Sequence, residues 1–489
     1  MVKWSAMAEG GQTTIEVDGA LREELEAIVG ASAVVSHRSE LKVYECDGWT
    51  IEKSAPDLLV MPRTTAQVSA ILKALYRRGL GFVPRGAGTG LSGGSLPLAP
   101  VMICTSRMNR IEAIDLANRR IEVQPGVVNL HVTDAVKGHG YLYAPDPSSQ
   151  SACTIGGNIA ENSGGPHTLK YGVTTNHVLG VELVLPDGEV VELGGPAEEK
   201  LGYDLAGAVV GSEGTVGIVT RAILRLMRAP QTYRTILALF DDVDAATRAV
   251  SRIIASGIVP GAIEMMDRLI MDAVEAAFQV GFPPGAGAAL IVELDGLTAG
   301  LDAHCARAAE LVNAGGATSV RMARDDAERQ LLWKARKRAF GAVGRLASNY
   351  ATQDGVVPRT RLPDILREIT AIAARYRLRI GNVFHAGDGN IHPVILYEER
   401  DADETRRAIE AGREILKACV AMGGSLTGEH GIGLEKLHEM PLLFSPDDLR
   451  VMAELRSVFD PSNRSNPGKV LPQPGSCVEV AAPRRQVPL

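Results

Sequence analysis

The chain has 489 residues, 45% of them hydrophobic and 22% charged, with 52 glycines and a formal net charge of -7. That length exceeds the roughly 100–200 residues typical of one domain, so two or three packed units large enough to enclose a cofactor are expected. The acidic balance, with basic residues dispersed among acids, argues against a polyanion partner such as nucleic acid. The amino terminus has no apolar core of a secretory signal, and no run of 18 apolar residues occurs. A cytoplasmic protein is therefore expected, with any membrane association peripheral. Its six cysteines (Cys46, Cys104, Cys153, Cys305, Cys419 and Cys477) form no CxxC pair, which speaks against an in-chain zinc or iron–sulfur site.

In chain order, the first predicted element is a short helix over 21–30. Thr64 and Gln67 then form a capping box, and Val68, Ile71, Leu72 and Leu75 line one helical face that stops at Gly79. Strands are predicted at GFVP (81–84), VMICT (101–105), RIEVQPG (120–126) and TVGIVTRAILRL (215–226), with a hairpin over 179–193 turning at Asp187-Gly188. From about Tyr233 a strand, a helix to about Ser256, the strand LIVELDG (290–296) and an alanine-rich helix suggest a second unit. Near Ala418 the pattern changes again, to glycine-rich turns, a helix over 446–458 and a proline-rich tail. The expected division is 1–230, 231–418 and 419–489, and the expected class is α+β.

Three glycine-rich blocks lie within about 140 residues of one another. PRGAGTGLSGGSLPL (84–98) follows a strand, and its glycines allow backbone N–H groups to turn around an anion. Pro97 and Pro100 follow where a dinucleotide fold would open a helix, so this is a different phosphate cradle. The second block, PDPSSQSACTIGGNIAENSGGPHTLKYGVT, spans 145–174, and the third, GSEGTVGIVT, spans 211–220. Together they suit a long, bent ligand.

A second constellation lies towards the carboxyl end. In IGNVFHAGDGNIHPVIL (380–396), a two-residue turn at Asp388-Gly389 pairs Gly387 with Asn390, Ala386 with Ile391 and His385 with His392. Directly opposed residues have Cβ atoms about 4.5–5.5 Å apart, a chelating distance for two imidazoles. Glu429, in GGSLTGEHGIGLEK (423–436), is the natural third ligand of a divalent metal, with zinc, iron and manganese all compatible. Its neighbour His430 remains as a base, expected near its reference pKa of about 6.5.

These motifs resemble the FAD-linked oxidases of the vanillyl-alcohol oxidase type, in the branch of D-lactate dehydrogenases and the glycolate oxidase flavoprotein subunit. The resemblance covers residues 40–472. It implies a two-part FAD-binding domain, a substrate (cap) domain and a C-terminal return segment. It implies that Pro84, Arg85, Gly86, Ala87, Gly88, Thr89 and Gly90 wrap the FAD pyrophosphate. Pro145, Asp146, Ser151, Gly156, Gly157, Asn158, Ala160, Asn162 and Gly165 would line the flavin side, Glu213, Gly217 and Ile218 the adenine half, and Asn466, in the Asn466-Pro467-Gly468 turn, the flavin edge. No histidine occurs in the first block, so noncovalent FAD is expected, with His167 the one histidine in the second. The branch carries a substrate-facing arginine after a tryptophan, here Arg336 after Trp333, suited to a carboxylate. YATQDGVVPRTRLP, with Asp354, resembles the glycolate oxidase subunit in particular.

The implied activity is oxidation of a small 2-hydroxy acid, glycolate or D-lactate, to the 2-oxo acid. With no cluster-forming cysteines the electrons need an external acceptor, and the glycolate oxidase branch works with companion flavin and iron–sulfur subunits at the membrane. A noncatalytic electron-relay subunit and a D-2-hydroxyglutarate-type dehydrogenase are the alternatives. The ether-lipid synthase of the same fold would carry a run of adjacent histidines, absent here.

Overall fold

The computed structural model describes residues 17–197 and 202–472. Cys477 and the amino-terminal residues 1–16 lie outside the described residues. The five described cysteines are free thiols.

The amino-terminal half builds two sheets. Thr64 caps the helix Thr65–Arg77, accepting from the Gln67 amide, and Val68, Ile71, Leu72 and Leu75 are buried along one side, as the periodicity predicts. That face covers a four-stranded sheet in which Leu58–Val60, Val101–Cys104 and Phe82–Arg85 run parallel and Val34–Val35 closes one edge antiparallel. Beside it stands a five-stranded antiparallel sheet, ordered Ile111–Asp115, Arg120–Val123, Ile218–Arg225, Val178–Val184, Val190–Gly194. The Asp187-Gly188 hairpin forms as expected, with Val184 opposite Val190 and Gly188 at φ +89°.

The second half is one eight-stranded antiparallel sheet with helices on both faces. Its strands alternate strictly. Ile236, Ala238 and Phe240 of Thr232–Phe240 point into one core with the helices Val243–Ala255, Thr298–Ala314, Leu362–Tyr376 and Ala402–Ala421. Leu237 and Leu239 point the other way, onto Arg268–Phe278, Asp326–Lys337 and Ala339–Val343. This second face carries the chemistry. On it, buried polar side chains stand at positions where the period-two pattern would place apolar ones, among them Glu264, Glu293, His385 and His392.

The hairpin that carries the two histidines differs from the sequence expectation. The observed register sets His385 opposite Asn390 and Val383 opposite His392, two residues away from the expected pairing. Asp388 has no positive φ, whereas Gly389 has φ +86°, so neither primed two-residue turn can form. A four-residue loop, Ala386–Gly389, closes the hairpin instead, with the Gly389 amide donating to His385 O and the Asn390 amide to Asp388 Oδ1. A side chain at Gly389 would collide with the Val357 carbonyl. A shift of two preserves the facing of every side chain, so the histidines still share one face as diagonal neighbours. Their ring centroids are 5.1 Å apart.

Residues 419–472 return across both halves. Ser425 bridges to Val356, and Ser465 bridges to Phe82 on the amino-terminal sheet.

Candidate active site

A cleft of about 360 Å3, open to solvent, runs between the two halves and ends at the histidine-bearing sheet face. That lies within the roughly 300–1,000 Å3 usual for small-molecule sites. All three glycine-rich blocks contribute to its wall. Pro84 through Gly90 line it, with Gly156, Gly157, Asn158 and Ala160 from the second block and Glu213, Gly217 and Ile218 from the third. Gly86 has to be glycine, because a Cβ there would strike Thr154 Oγ1, the hydroxyl that caps the helix Ile155–Glu161. The first and second blocks are thereby held in contact.

The remaining residues expected at the cofactor support the cleft without lining it. Pro145 O accepts from Asn129 Nδ2, Asn162 takes the left-handed conformation that ends the helix Ile155–Glu161, and Gly165 packs on the Asp146 backbone. Ser151 is exposed. Asn466 is buried and donates to Gly94 O and Glu213 O, tying the return segment to the first and third blocks. Asp146 bonds to His167 Nδ1 at 2.9 Å and Lys337 Nζ at 2.9 Å.

His167 therefore belongs to a polar junction between the halves. Its Nε2 lies 3.5 Å from Glu293 Oε1, and its ring packs 5.3 Å from that of Trp333, whose Nε1 donates to Glu293 Oε2 at 2.6 Å. Both ring nitrogens are engaged, and the side chain does not line the cleft. Burial works against a charged ring, but Asp146 and Glu293 together raise the imidazole to about 10. One face of the helix Asp326–Lys337 supplies the other side of the junction, as Arg329, Trp333 and Lys337 at intervals of four.

Arg336, one turn beyond Trp333, is fully buried and lines the cleft. Its Nη2 sits 2.5 Å from Glu264 Oε2, and among the described residues its Nε and Nη1 have no hydrogen-bond partner. A buried guanidinium with free donors facing a cleft is prepared for an anionic ligand.

The two histidines and Glu429 converge as the sequence predicts. Glu429 Oε1 is 3.1 Å from His385 Nε2 and 3.3 Å from His392 Nε2. His385 Nδ1 is paired with Glu264 Oε1 at 2.7 Å, directly across the strand junction. That carboxylate orients the ring with Nε2 towards Glu429, the arrangement that surrounds metal-ligating histidines. The donor set of two imidazoles and a carboxylate, with ligand atoms within 4.8 Å of one another, fits a divalent cation. Burial opposes the charge on Glu429, but the two imidazoles hold its carboxyl well below the usual range.

His430 stacks on His392 with centroids 4.8 Å apart, and its Nδ1 has no partner among the described residues. Here the expectation of a pKa near the reference value is corrected: burial pushes His430 down to about 4, with the Asp354 charge opposing the shift. A ring so shifted is neutral at pH 7.

Two supporting residues were not predicted as site residues. Asp354 Oδ2 accepts the amides of Gly428, Glu429 and His430 at 2.9–3.2 Å together with the Thr427 hydroxyl, which fixes the loop bearing Glu429 and His430. Glu264 joins His385 to Arg336. Its signal in the sequence was a lone carboxylate inside the apolar run AIEMM (262–266).

A cleft lined by three glycine-rich blocks, ending at a buried guanidinium and an imidazole cluster, defines an FAD-dependent oxidoreductase. The chain belongs to the FAD-linked oxidases: it matches the FAD binding domain over residues 56–194 and the FAD-linked oxidase C-terminal domain over 229–470. Within them it is similar to the glycolate oxidase subunit GlcD of Escherichia coli K12, 44% identical over 95% of this chain and 92% of the relative. GlcD of Bacillus subtilis is 38% identical over 92% of this chain and 96% of its own, and a D-lactate dehydrogenase of Anaerostipes hadrus 30% over 86% and 90%. The fold is that of p-cresol methylhydroxylase, at a TM-score of 0.78 and 16% identity over 92% of this chain and 96% of that one. An alkyldihydroxyacetonephosphate synthase superposes at 0.75 with 18% identity, over 93% and 86% of the two chains. Among the described residues no helix is long and apolar enough to cross a membrane.

Proposed function

We propose that the protein oxidises a small 2-hydroxy acid, glycolate or D-lactate, to the corresponding 2-oxo acid and passes the electrons to an external acceptor. The observation that carries this reading is the convergence of Arg336, His385, His392, Glu429 and His430 on the end of the same cleft that the glycine-rich blocks line. Those blocks would hold FAD without a covalent bond, and the cofactor would supply the hydride acceptor. His385, His392 and Glu429 would hold a divalent metal, with zinc, iron and manganese all suited to the donor set, and the ion would lower the pKa of the substrate hydroxyl.

The protein's own groups do the rest. Arg336 takes the substrate carboxylate on its free Nε and Nη1, which orients Cα while Glu264 balances the guanidinium charge. His430, neutral and unpartnered at Nδ1, accepts the hydroxyl proton as the Cα hydride leaves. Phe340 lines the same end of the cleft edge-on to His392, at 6.2 Å between centroids, and limits the substrate side chain. Lys337, the neighbouring cation, is committed to Asp146, which leaves a second carboxylate such as that of 2-hydroxyglutarate without a free partner there. Companion flavin and iron–sulfur subunits, as the word subunit in the GlcD relatives suggests, would receive the electrons and provide any membrane contact.

The test is anaerobic bleaching of the purified yellow protein by a panel of glycolate, D-lactate, L-lactate and D-2-hydroxyglutarate, with metal analysis alongside. Glycolate or D-lactate should bleach it. No bleaching by any hydroxy acid would instead indicate an electron-relay subunit.

A further inference from the structure

The cleft wall holds a second group of ionisable side chains that the hydroxy-acid chemistry leaves unused. Glu161, Glu213 and Asp47 all line it, with the buried Lys436 and Lys469 behind them. Glu161 and Glu213 flank the same two glycines. A Cβ on Gly94 would lie 2.8 Å from Glu161 Oε1 and 3.5 Å from Glu213 Oε2, and one on Gly431 would collide with Glu161 Oε2 and stand 2.8 Å from Glu213 Oε1.

Two of the three carboxylates have amide donors that oppose the burial raising them, which leaves Glu213 at about 7 and Asp47 above its ordinary range. Glu213 accepts the Ile432 amide at 2.6 Å and the Gly433 amide at 2.7 Å, and Asp47 accepts those of Trp49 at 3.0 Å and Ser95 at 3.3 Å. Glu161 Oε2 is buried with no hydrogen-bond partner among the described residues. Neither lysine compensates it directly. Lys436 bonds to Gly431 O and Asp354, and Lys469 to Leu96 O and Gly94 O. Three carboxyls so close cannot all ionise, and the proton belongs on the one without amide donors. Burial first, then the charges of Glu213 and Asp47, raise the Glu161 carboxyl well above its ordinary range.

The location gives that proton a use. Glu161 closes the helix of the second glycine-rich block and touches Gly431, the residue after His430. Glu213, expected from the resemblance at the adenine half, instead accepts the Ile432 and Gly433 amides two and three residues beyond His430, so the cluster stands where the cofactor cradle meets the substrate end, the place of the redox ring of FAD for hydride transfer. We propose that Glu161 is a neutral carboxylic acid that donates a hydrogen bond from the cleft wall to the flavin ring and sets its reduction potential. A fixed donor aimed at ring oxygen or nitrogen favours the reduced form, which is richer in electrons. The inference depends on FAD binding alone and not on which acid is oxidised.

The test is the two-electron midpoint potential of the FAD-loaded protein, measured anaerobically against a reference dye with no hydroxy acid present. Glu161→Gln keeps a neutral donor and should keep the wild-type potential. Glu161→Leu should disfavour the reduced form about tenfold, a potential about 30 mV lower. A Glu161→Leu protein that holds FAD at the wild-type potential, or a Glu161→Gln protein shifted as far as Glu161→Leu, overturns the proposal. Reduced-minus-oxidised infrared difference spectra decide the matter even if Glu161→Leu fails to retain FAD. The wild type should show a protonated-carboxyl band that responds to flavin reduction and is lost in Glu161→Gln, and its absence from the wild type refutes the idea.

Discussion

His385 Nδ1 and Glu264 Oε1 meet at 2.7 Å across two neighbouring strands on which the residues are direct register partners. The same carboxylate holds Arg336 through its other oxygen. One side chain thus aligns both an imidazole of the candidate metal site and the guanidinium proposed to grip the substrate.

Replacing Glu264 with Gln should therefore weaken metal binding by about 10- to 100-fold, the usual cost of losing the partner of a metal-ligating histidine. Metal content after dialysis against a graded chelator reads this without recourse to activity. Undiminished metal retention would argue that His385 is not a ligand.

Arg336→Lys keeps the charge but removes the planar fork, and should raise the substrate KM by about 10- to 100-fold, equivalent to the roughly 1.5–3 kcal/mol of a charged hydrogen bond. FAD content should not change, because the cofactor blocks lie elsewhere along the cleft. An unchanged KM would remove Arg336 from substrate binding.

His430→Asn should slow flavin reduction by the substrate by about 10²- to 10⁴-fold with FAD still bound, the range for loss of a general base. Rapid-mixing absorbance at the flavin band measures it. Reduction at the wild-type rate would reassign the base.

The junction between the halves should weaken in alkali. His167 is raised to about 10 in the folded protein from an ordinary 6.5, so its contribution is complete below pH 6.5 and is lost as pH rises through 10. The loss should follow about 1.4 kcal/mol per pH unit over that window for the one proton involved. Tm measured from pH 6.5 to 10 should fall less steeply in His167→Gln than in the wild type, and parallel curves would show that the ring does not carry the charge.

Phe340→Ala should widen the substrate end. The preference for glycolate or D-lactate over 2-hydroxy acids with longer side chains should fall by about 1–3 kcal/mol in kcat/KM, the scale of a methylene or two in an apolar pocket. Steady-state comparison of a homologous acid series tests it.

By itself the sequence determined the local chemistry. The Thr64 cap, the Asp187-Gly188 hairpin, the period-two strands and the three glycine-rich blocks follow from backbone preferences acting over a few residues, and they were legible for that reason. The convergence of His385, His392 and Glu429 was also foreseeable, but its register was not. The Asp388-Gly389 dipeptide suits a primed turn, whereas contact with the Val357 carbonyl and the pairing of His385 with Glu264 select a four-residue loop. Only the tertiary structure decided what no spacing encodes. Burial moved His430 to about 4, Asp354 gathered three loop amides from 74 or more residues away in the chain, and Glu264 came to stand 121 residues from the histidine it orients. Desolvation and long-range pairing arise when distant strands close on one another, and they set both which groups hold protons and which are free to bind.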